Sequence, residues 1–263
     1  MSFRSFIFLI IFVYACLAKT SYAQETITLS TFEYPPEHSM ALPNGGFVSH
    51  IIELAFAQQG FKVKWQYYPL ARAFMMAKLG KVDGTASYGY SKEREEGMYV
   101  SDRIITSKTY FYHLKTTKFQ WEKFNDLKGL KIGITDNYNY GDKFDQALKA
   151  KIFKGDNSTR DTLNFNKLLA GRIDVFPMTS GIAEYLLMTE FPKGSLDKVT
   201  YHRKPIKEYD SFMYFPQALA NSQVYLKQFN QGLKKIKQSG LYQQTLLDLH
   251  NGNYTTLTTN RPD

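Results

Sequence analysis

Two short runs constrain this chain more than any other feature. Lys78-Leu79-Gly80-Lys81-Val82-Asp83 and Leu169-Ala170-Gly171-Arg172-Ile173-Asp174 share one grammar: a helix end, glycine, a basic residue, a β-branched apolar residue, aspartate. Glycine closes a helix because it accepts the left-handed backbone of the last turn. Runs this short are a weak sign of repetition by themselves, but what precedes them repeats too. In the first half, residues 26–31 alternate Ile27 and Leu29 with polar neighbours, as a short strand does, and Tyr34-Pro35-Pro36 stops it. Residues 47–59 set Phe47, Ile51, Leu54 and Ala55 at helical spacing before Gly60. Phe61, Val63, Trp65 and Tyr67 alternate strictly, Pro69 opens a helix at its first position, and residues 82–87 read as another strand. In the second half, residues 130–135 read as an apolar strand, and 142–151 and 162–170 as helices. A βαβαβ order implies a mainly parallel sheet flanked by helices. The expectation is an α/β chain with two similar lobes.

Residues 108–118 carry the β-rich Tyr110-Phe111-Tyr112-His113-Leu114, long enough to cross from one lobe to the other. Residues 211–215 form a second aromatic strand. Residues 222–237 then place Leu226, Phe229, Leu233 and Ile236 on one helical face, with Ser222 as N-cap and Gly240 at the end. Two crossings mean that C-terminal chain completes the first lobe. The expected organisation is 24–112 for the first part of lobe 1, 113–210 for lobe 2, 211–254 for the return, and 255–263 as a frayed polar tail.

The first 23 residues read as an address. Arg4 precedes an uncharged apolar run over residues 6–18, and Ser21 and Ala23 stand three and one residues before Gln24. This is the layout of a cleavable secretory signal, and the run is short for a membrane span. Cys16 is the chain's one cysteine, so no disulfide framework or cysteine-ligated zinc is available. Val13-Tyr14-Ala15-Cys16 resembles a lipobox, which makes a lipoprotein anchored at Cys16 the alternative to simple secretion into the periplasm.

The 33 Lys and Arg against 24 Asp and Glu give a net charge of +9, which invites a nucleic-acid reading. The cations, however, are spread along the chain, and the densest run, Lys234-Lys235-Ile236-Lys237, fits the outer face of an amphipathic helix. With 43% hydrophobic and 16% aromatic residues, disorder is excluded. His38, His50, His113, His202 and His250 are scattered without ligand spacing, and no phosphate-binding glycine loop or Gly-x-Ser-x-Gly elbow occurs. No metal, cofactor or nucleic acid is expected.

Several segments, in this order, resemble the bacterial extracellular solute-binding proteins of family 3, the periplasmic receptors of polar amino-acid ABC importers. They are Tyr34-Pro35-Pro36, Gly46-Phe47, Gly80-Lys81-Val82-Asp83-Gly84, Ser91-Lys92-Glu93-Arg94, Ser101-Asp102, Asp126-Leu127-Lys128-Gly129-Leu130-Lys131-Ile132-Gly133 and Gly171-Arg172-Ile173-Asp174. The resemblance implies a type II periplasmic-binding-protein clamshell with two hinge crossings and a ligand cleft between its lobes. Tyr68-Pro69-Leu70-Ala71-Arg72-Ala73 resembles a proteobacterial branch whose members often have no assigned ligand.

By the same resemblance, Arg94 grips a ligand carboxylate, for which a planar guanidinium is well suited; flanking Glu93, Glu95 and Glu96 offer a surface ion pair instead. Tyr34 is an aromatic wall of the cleft, with ordinary packing as the alternative. Ser87, Tyr88 and Gly89 present backbone and hydroxyl groups, although Tyr88 and Gly89 depart from the small hydroxyl residues common there. Asn137, Tyr138 and Asn139 replace a Gly-Thr-Thr-like turn ahead of a helix N-terminus that can attract an anion. Thr179 stands where amino-acid binders commonly carry an aspartate for the ligand ammonium. Glu37, Asp136 or Asp210 must then supply that charge, or the ligand lacks an α-amino group. Arg72 favours a second anionic group if it faces the cleft and is otherwise a solvent-facing helix residue.

The expected protein is a monomeric receptor that closes on a small carboxylate-bearing solute and meets an inner-membrane ABC permease. The alternatives are a cyclic-acid dehydratase on the same fold, with Glu33, Glu37 or Asp136 as acid or base, and a receptor acting in trans on a sensor.

Overall fold

Strand β1 (Glu25–Thr31) is the axis of the first lobe in the computed structural model, which describes residues 25–136 and 138–256. Residues 1–24, on which the expected secretory signal and Cys16 fall, Asn137 and residues 257–263 lie outside the described residues. β1 turns Ile27 and Leu29 inward and pairs in parallel with β2 (Phe61–Tyr67) and β3 (Gly84–Gly89). Helix α1 (Phe47–Ala57) buries Phe47, Ile51 and Ala55 of the stripe read from sequence together with Val48, Ile52 and Phe56, and leaves Leu54 half-buried. Helix α2 (Leu70–Lys78) follows β2.

The strand expected over 82–87 forms two residues later because Val82 and Asp83 have a different task. Lys81 N donates to Met76 O (2.9 Å) and Gly80 N to Ala77 O (2.8 Å), a Schellman closure that needs the positive φ of Gly80 (65°). Val82 is buried, and the Asp83 carboxylate accepts from Thr28 N at 2.7 Å. The second run repeats this: Arg172 N reaches Lys167 O (2.8 Å), Gly171 has φ 67°, Ile173 is buried, and Asp174 accepts from Lys131 N at 2.7 Å. In both places the motif ends a helix and ties the following chain to a central strand.

In the second lobe, β6 (Lys131–Thr135) pairs in parallel with β7 (Lys154–Ser158), and Ile132 bridges in parallel to Val175. β7, Lys-Gly-Asp-Asn-Ser, carries no apolar alternation and was not expected from sequence; its order comes from main-chain pairing with β6. The first lobe also holds short α3 (Lys92–Glu95) and β4 (Met98–Val100); around β6 and β7 stand α4 (Asp142–Lys149), α5 (Asp161–Leu169), β8 (Phe176–Thr179), α6 (Ser180–Thr189), short α7 (Ser195–Lys198) and β9 (Val199–Tyr201).

Antiparallel pairing belongs to the crossing strands. β5 (Ile105–Leu114) and β10 (Lys207–Pro216) pair Lys207 with Thr109, Tyr209 with Ser107 and Ser211 with Ile105. They join the lobes in a sheet ordered β2-β1-β3-β10-β5-β8. β5 gives Ile105 to the core holding Ile27 and Phe56, and Phe111 to the core holding Phe144 and Val175. Chain after β10 returns to the first core through α8 (Ser222–Ser239), which supplies Phe229, Leu233 and Ile236. α8 lies so close to α1 that a Cβ on Gly232 would sit 1.9 Å from Ala55 O. Asn221, not Ser222, occupies the N-cap of α8, and the buried Ser222 Oγ has no hydrogen-bond partner among the described residues. Among the described residues no helix is long and apolar enough to cross a membrane.

Candidate ligand-binding cleft

A cavity of about 480 Å³ opens where the first lobe, the crossing strands and the second lobe meet. The first lobe contributes Phe32, Tyr34, Glu37, Ser87, Tyr88 and Arg94; the crossing strands Ser107, Thr109, Lys207 and Tyr209; the second lobe Tyr138, Asn139 and Thr179.

Glu37 is placed by the loop that caps α1. The carbonyls of Pro36 and Glu37 accept from Phe47 N (3.0 Å) and Val48 N (3.1 Å), the otherwise unserved donors of the helix start. Gly46 (φ 93°) permits this, because a Cβ there would lie 2.6 Å from Glu37 O. The Glu37 side chain points into the cavity wall, where Ser87 Oγ donates to its Oε2 at 3.4 Å. Burial pushes its carboxyl up to about 7, while hydrogen bonds from Ser87 and Ser107 oppose the shift. Ser87 is held at φ 68°, a left-handed conformation costly for a residue with a Cβ and the kind of strain that gathers at binding sites.

Arg94 comes from α3, whose N-cap Ser91 accepts the Arg94 backbone N–H at 3.2 Å. Its Nη1 donates to Gly89 O at 2.9 Å, and the guanidinium lies over the Tyr88 ring at 5.7 Å. Ion pairing with Glu93, Glu95 or Glu96 is not seen: among the described residues Arg94 has no carboxylate partner, and Glu95 accepts from Tyr90 Oη instead. The half-buried guanidinium therefore faces the cavity without a counter-charge.

Gly89 does not line the cavity. Its amide donates to Tyr209 Oη at 2.5 Å and its carbonyl also accepts from Tyr214 Oη, so it seats both Arg94 and Tyr209; a Cβ there would strike the Tyr209 ring. Tyr88 gives the cleft only its face, because its hydroxyl donates to Leu70 O at 2.7 Å and burial pushes its pKa up to about 12. Tyr34, Tyr138 and Tyr209 remain 42%, 49% and 43% exposed around the opening, apolar surface available to a solute.

Thr179 lines the cavity and its Oγ1 meets Thr109 Oγ1 at 3.2 Å, so no charge stands there. Of the three acids that sequence offered as substitutes, Glu37 lines the cavity. Asp136 is bonded by Asn157 Nδ2 (2.8 Å), and Asp210 by Thr106 Oγ1 (2.6 Å) and Arg103 (3.3 Å); neither reaches it.

Arg72 is exposed, stacks over Tyr68 at 5.4 Å and stays outside the cavity lining. The cation that does line it, Lys207, escaped sequence analysis, as did Tyr209, Ser107 and Thr109. No apolar alternation marks Lys207-Glu208-Tyr209-Asp210, so the strand expected from 211 begins four residues earlier than its aromatic pattern shows. Asn139 is fixed by Gly141 N (2.9 Å) and Lys207 Nζ (2.9 Å) just ahead of α4, whose N-cap Gly141 brings no side-chain cap. Among the described residues no group of three or more His, Cys, Asp or Glu could hold a metal ion.

The sequence matches the model of bacterial extracellular solute-binding proteins, family 3, over residues 29–248. The chain belongs to that family. No curated protein matches it in sequence. Solved structures do resemble it: Lactococcus lactis GlnP substrate binding domain 2 in an open conformation has a TM-score of 0.70 at 17% identity, covering 91% of this chain and 98% of that one. The unliganded L-cystine solute receptor of Neisseria gonorrhoeae has 0.68 at 17%, covering 91% and 97%. A histidine kinase sensor domain has 0.58 at 16%, covering 86% and 96%. At these identities the likeness is one of fold, the two-lobed type II architecture.

Proposed function

We propose that this family-3 solute-binding protein captures a small zwitterionic solute, an amino acid or a close relative, and delivers it by lobe closure to an inner-membrane ABC permease. One observation carries the reading. Ser87 and Gly89, two residues apart on β3, hold Glu37 and Arg94 respectively. The strand rise limits that offset to about 7 Å, so the two opposite charges meet a carboxylate and an ammonium on one small molecule. Arg94 offers paired charged hydrogen bonds to the carboxylate, and Glu37 takes the ammonium in place of the missing acid at position 179. The exposed tyrosines of both lobes then cover the solute, and contacts from both sides favour the closed state.

In this reading the lobes span 24–112 with 211–254, and 113–210, and they turn about β5 and β10. Residues 1–23 direct the chain to the periplasm and are removed, with lipidation at Cys16 as the alternative. The protein acts as a monomer.

A thermal-shift screen over amino acids, small organic acids and polyamines tests the reading, because a solute that binds only the folded chain raises its melting temperature. A response confined to polyamines would overturn it. A second reading draws on Glu37: an enclosed carboxyl that titrates near neutrality suits a general acid. Loss of water and carbon dioxide from a prephenate-like acid, followed by mass spectrometry, would establish a dehydratase in place of a receptor.

A further inference from the structure

Lys207 is a cation without a counter-ion in the wall of the cleft. Its Nζ donates to Asn139 Oδ1 at 2.9 Å and to Asn139 O at 3.3 Å, both neutral acceptors, and among the described residues it has no carboxylate partner. An ammonium has three donors, and one partly stripped of water is poorly served by neutral oxygens alone. Asn139 is itself tied to Gly141 N, so the ammonium is held in place rather than swinging on a free stem.

The strand register sets Lys207 relative to Arg94. Ser211 of β10 pairs with Gly89, the anchor of Arg94, and Lys207 lies four residues away on the same face. The rise of an extended strand makes that about 13 Å between backbones, and Tyr209 stands between them with its hydroxyl on Gly89 N. The cleft floor thus runs from guanidinium through a tyrosine ring to ammonium. Glu37 lies at the Arg94 end. Glu33, the other acid in the lining, is exposed and its Oε1 is occupied by Met40 N.

Resting on the zwitterion reading above, we infer that the solute carries a second anionic group, and that Lys207 selects it: the ligand is an α-amino dicarboxylic acid. With exposed Glu33 left to solvent and Met40 N, Arg94 and Lys207 against the Glu37 carboxylate leave a single positive charge facing the solute, which two carboxylates and one ammonium balance. This is the second anionic group that sequence attached to Arg72, moved to a residue that does line the cleft.

The test is calorimetry at low salt on the full chain with L-glutamate, L-2-aminoadipate and L-glutamine. At least one acid should bind about tenfold or more tightly than the amide, the effect of one charged hydrogen bond. Lys207→Met should abolish that preference by weakening the acids far more than L-glutamine, and Lys207→Arg should restore part of it. A melting temperature close to wild type shows that Lys207→Met is folded. The inference is overturned if L-glutamine binds as tightly as both acids, or if the preference survives in Lys207→Met. Binding of neutral amino acids alone would remove the inference and leave the receptor reading, whereas absence of binding by every amino acid would remove both.

Discussion

Glu37 and Arg94 share a difficulty, a charge in a wall with no partner, but resolve it differently. Arg94 cannot lose its proton and rests its plane on Tyr88. Glu37 can take one up, and its pKa near 7 shows that burial outweighs its hydroxyl donors. Folded Glu37 therefore holds its proton more tightly than unfolded Glu37, whose ordinary value is 4.5. Between those two values the unfolded chain binds fewer protons, so the Glu37 contribution to stability is fully present below about pH 4.5, falls as pH rises from there through about 7, and then levels. Subtracting the pH–stability curve of Glu37→Gln from that of wild type, both measured by denaturant unfolding without ligand, should isolate this downward slope. A flat difference would mean that Glu37 is well solvated. A bound ammonium lowers the Glu37 pKa again, so amino-acid binding near neutral pH should release a proton, seen as a dependence of calorimetric heat on buffer ionisation enthalpy.

At the scale of elements, the repeated glycine-to-aspartate run is a clamp. Removing the Asp83 carboxylate strands Thr28 N–H beside buried Ile27 and Leu29, so Asp83→Ala should cost about 1–3 kcal/mol in denaturant unfolding. Asp174→Ala should cost less, because its partner Lys131 is exposed. Equal losses would mean that burial does not set the value of the clamp. The elements legible in sequence were those whose side chains carry the pattern: β1, β2 and α1 show their buried face as a period of two or of 3.6. β7 was illegible because main-chain pairing with β6 and polar contacts from Lys167, not apolar alternation, order it, and the early part of β10 because Lys207 and Tyr209 make no apolar alternation. The site divides similarly. Tyr34, Ser87, Tyr88, Arg94, Tyr138, Asn139 and Thr179 all line one cavity, since the family pattern marks them; Lys207 and Tyr209 reach it through register across two strands, which local sequence does not display.

Across the whole molecule, the lobes touch at more than the two crossing strands. Helix α9 (Leu241–His250) packs Leu246 and Leu249 beside the first core, while its His250 meets Glu184 of α6 at 3.3 Å and Leu249 lies against Gly181. The proposed closure about β5 and β10 would slide α9 along α6. Behind Glu37 and Thr179 a second cavity of about 120 Å³ is lined by Tyr242, Leu246 and Leu249, which gives that motion room. The net charge of +9 is spread over this body and steers small anions only weakly, so affinity must come from the cleft. Calorimetry of wild type and Arg94→Ala against the solute that gives the largest thermal shift tests this most directly. Loss of two charged hydrogen bonds should weaken binding about 100-fold or more, with the melting temperature nearly unchanged. Unchanged affinity in Arg94→Ala would take Arg94 out of the site and contradict the account.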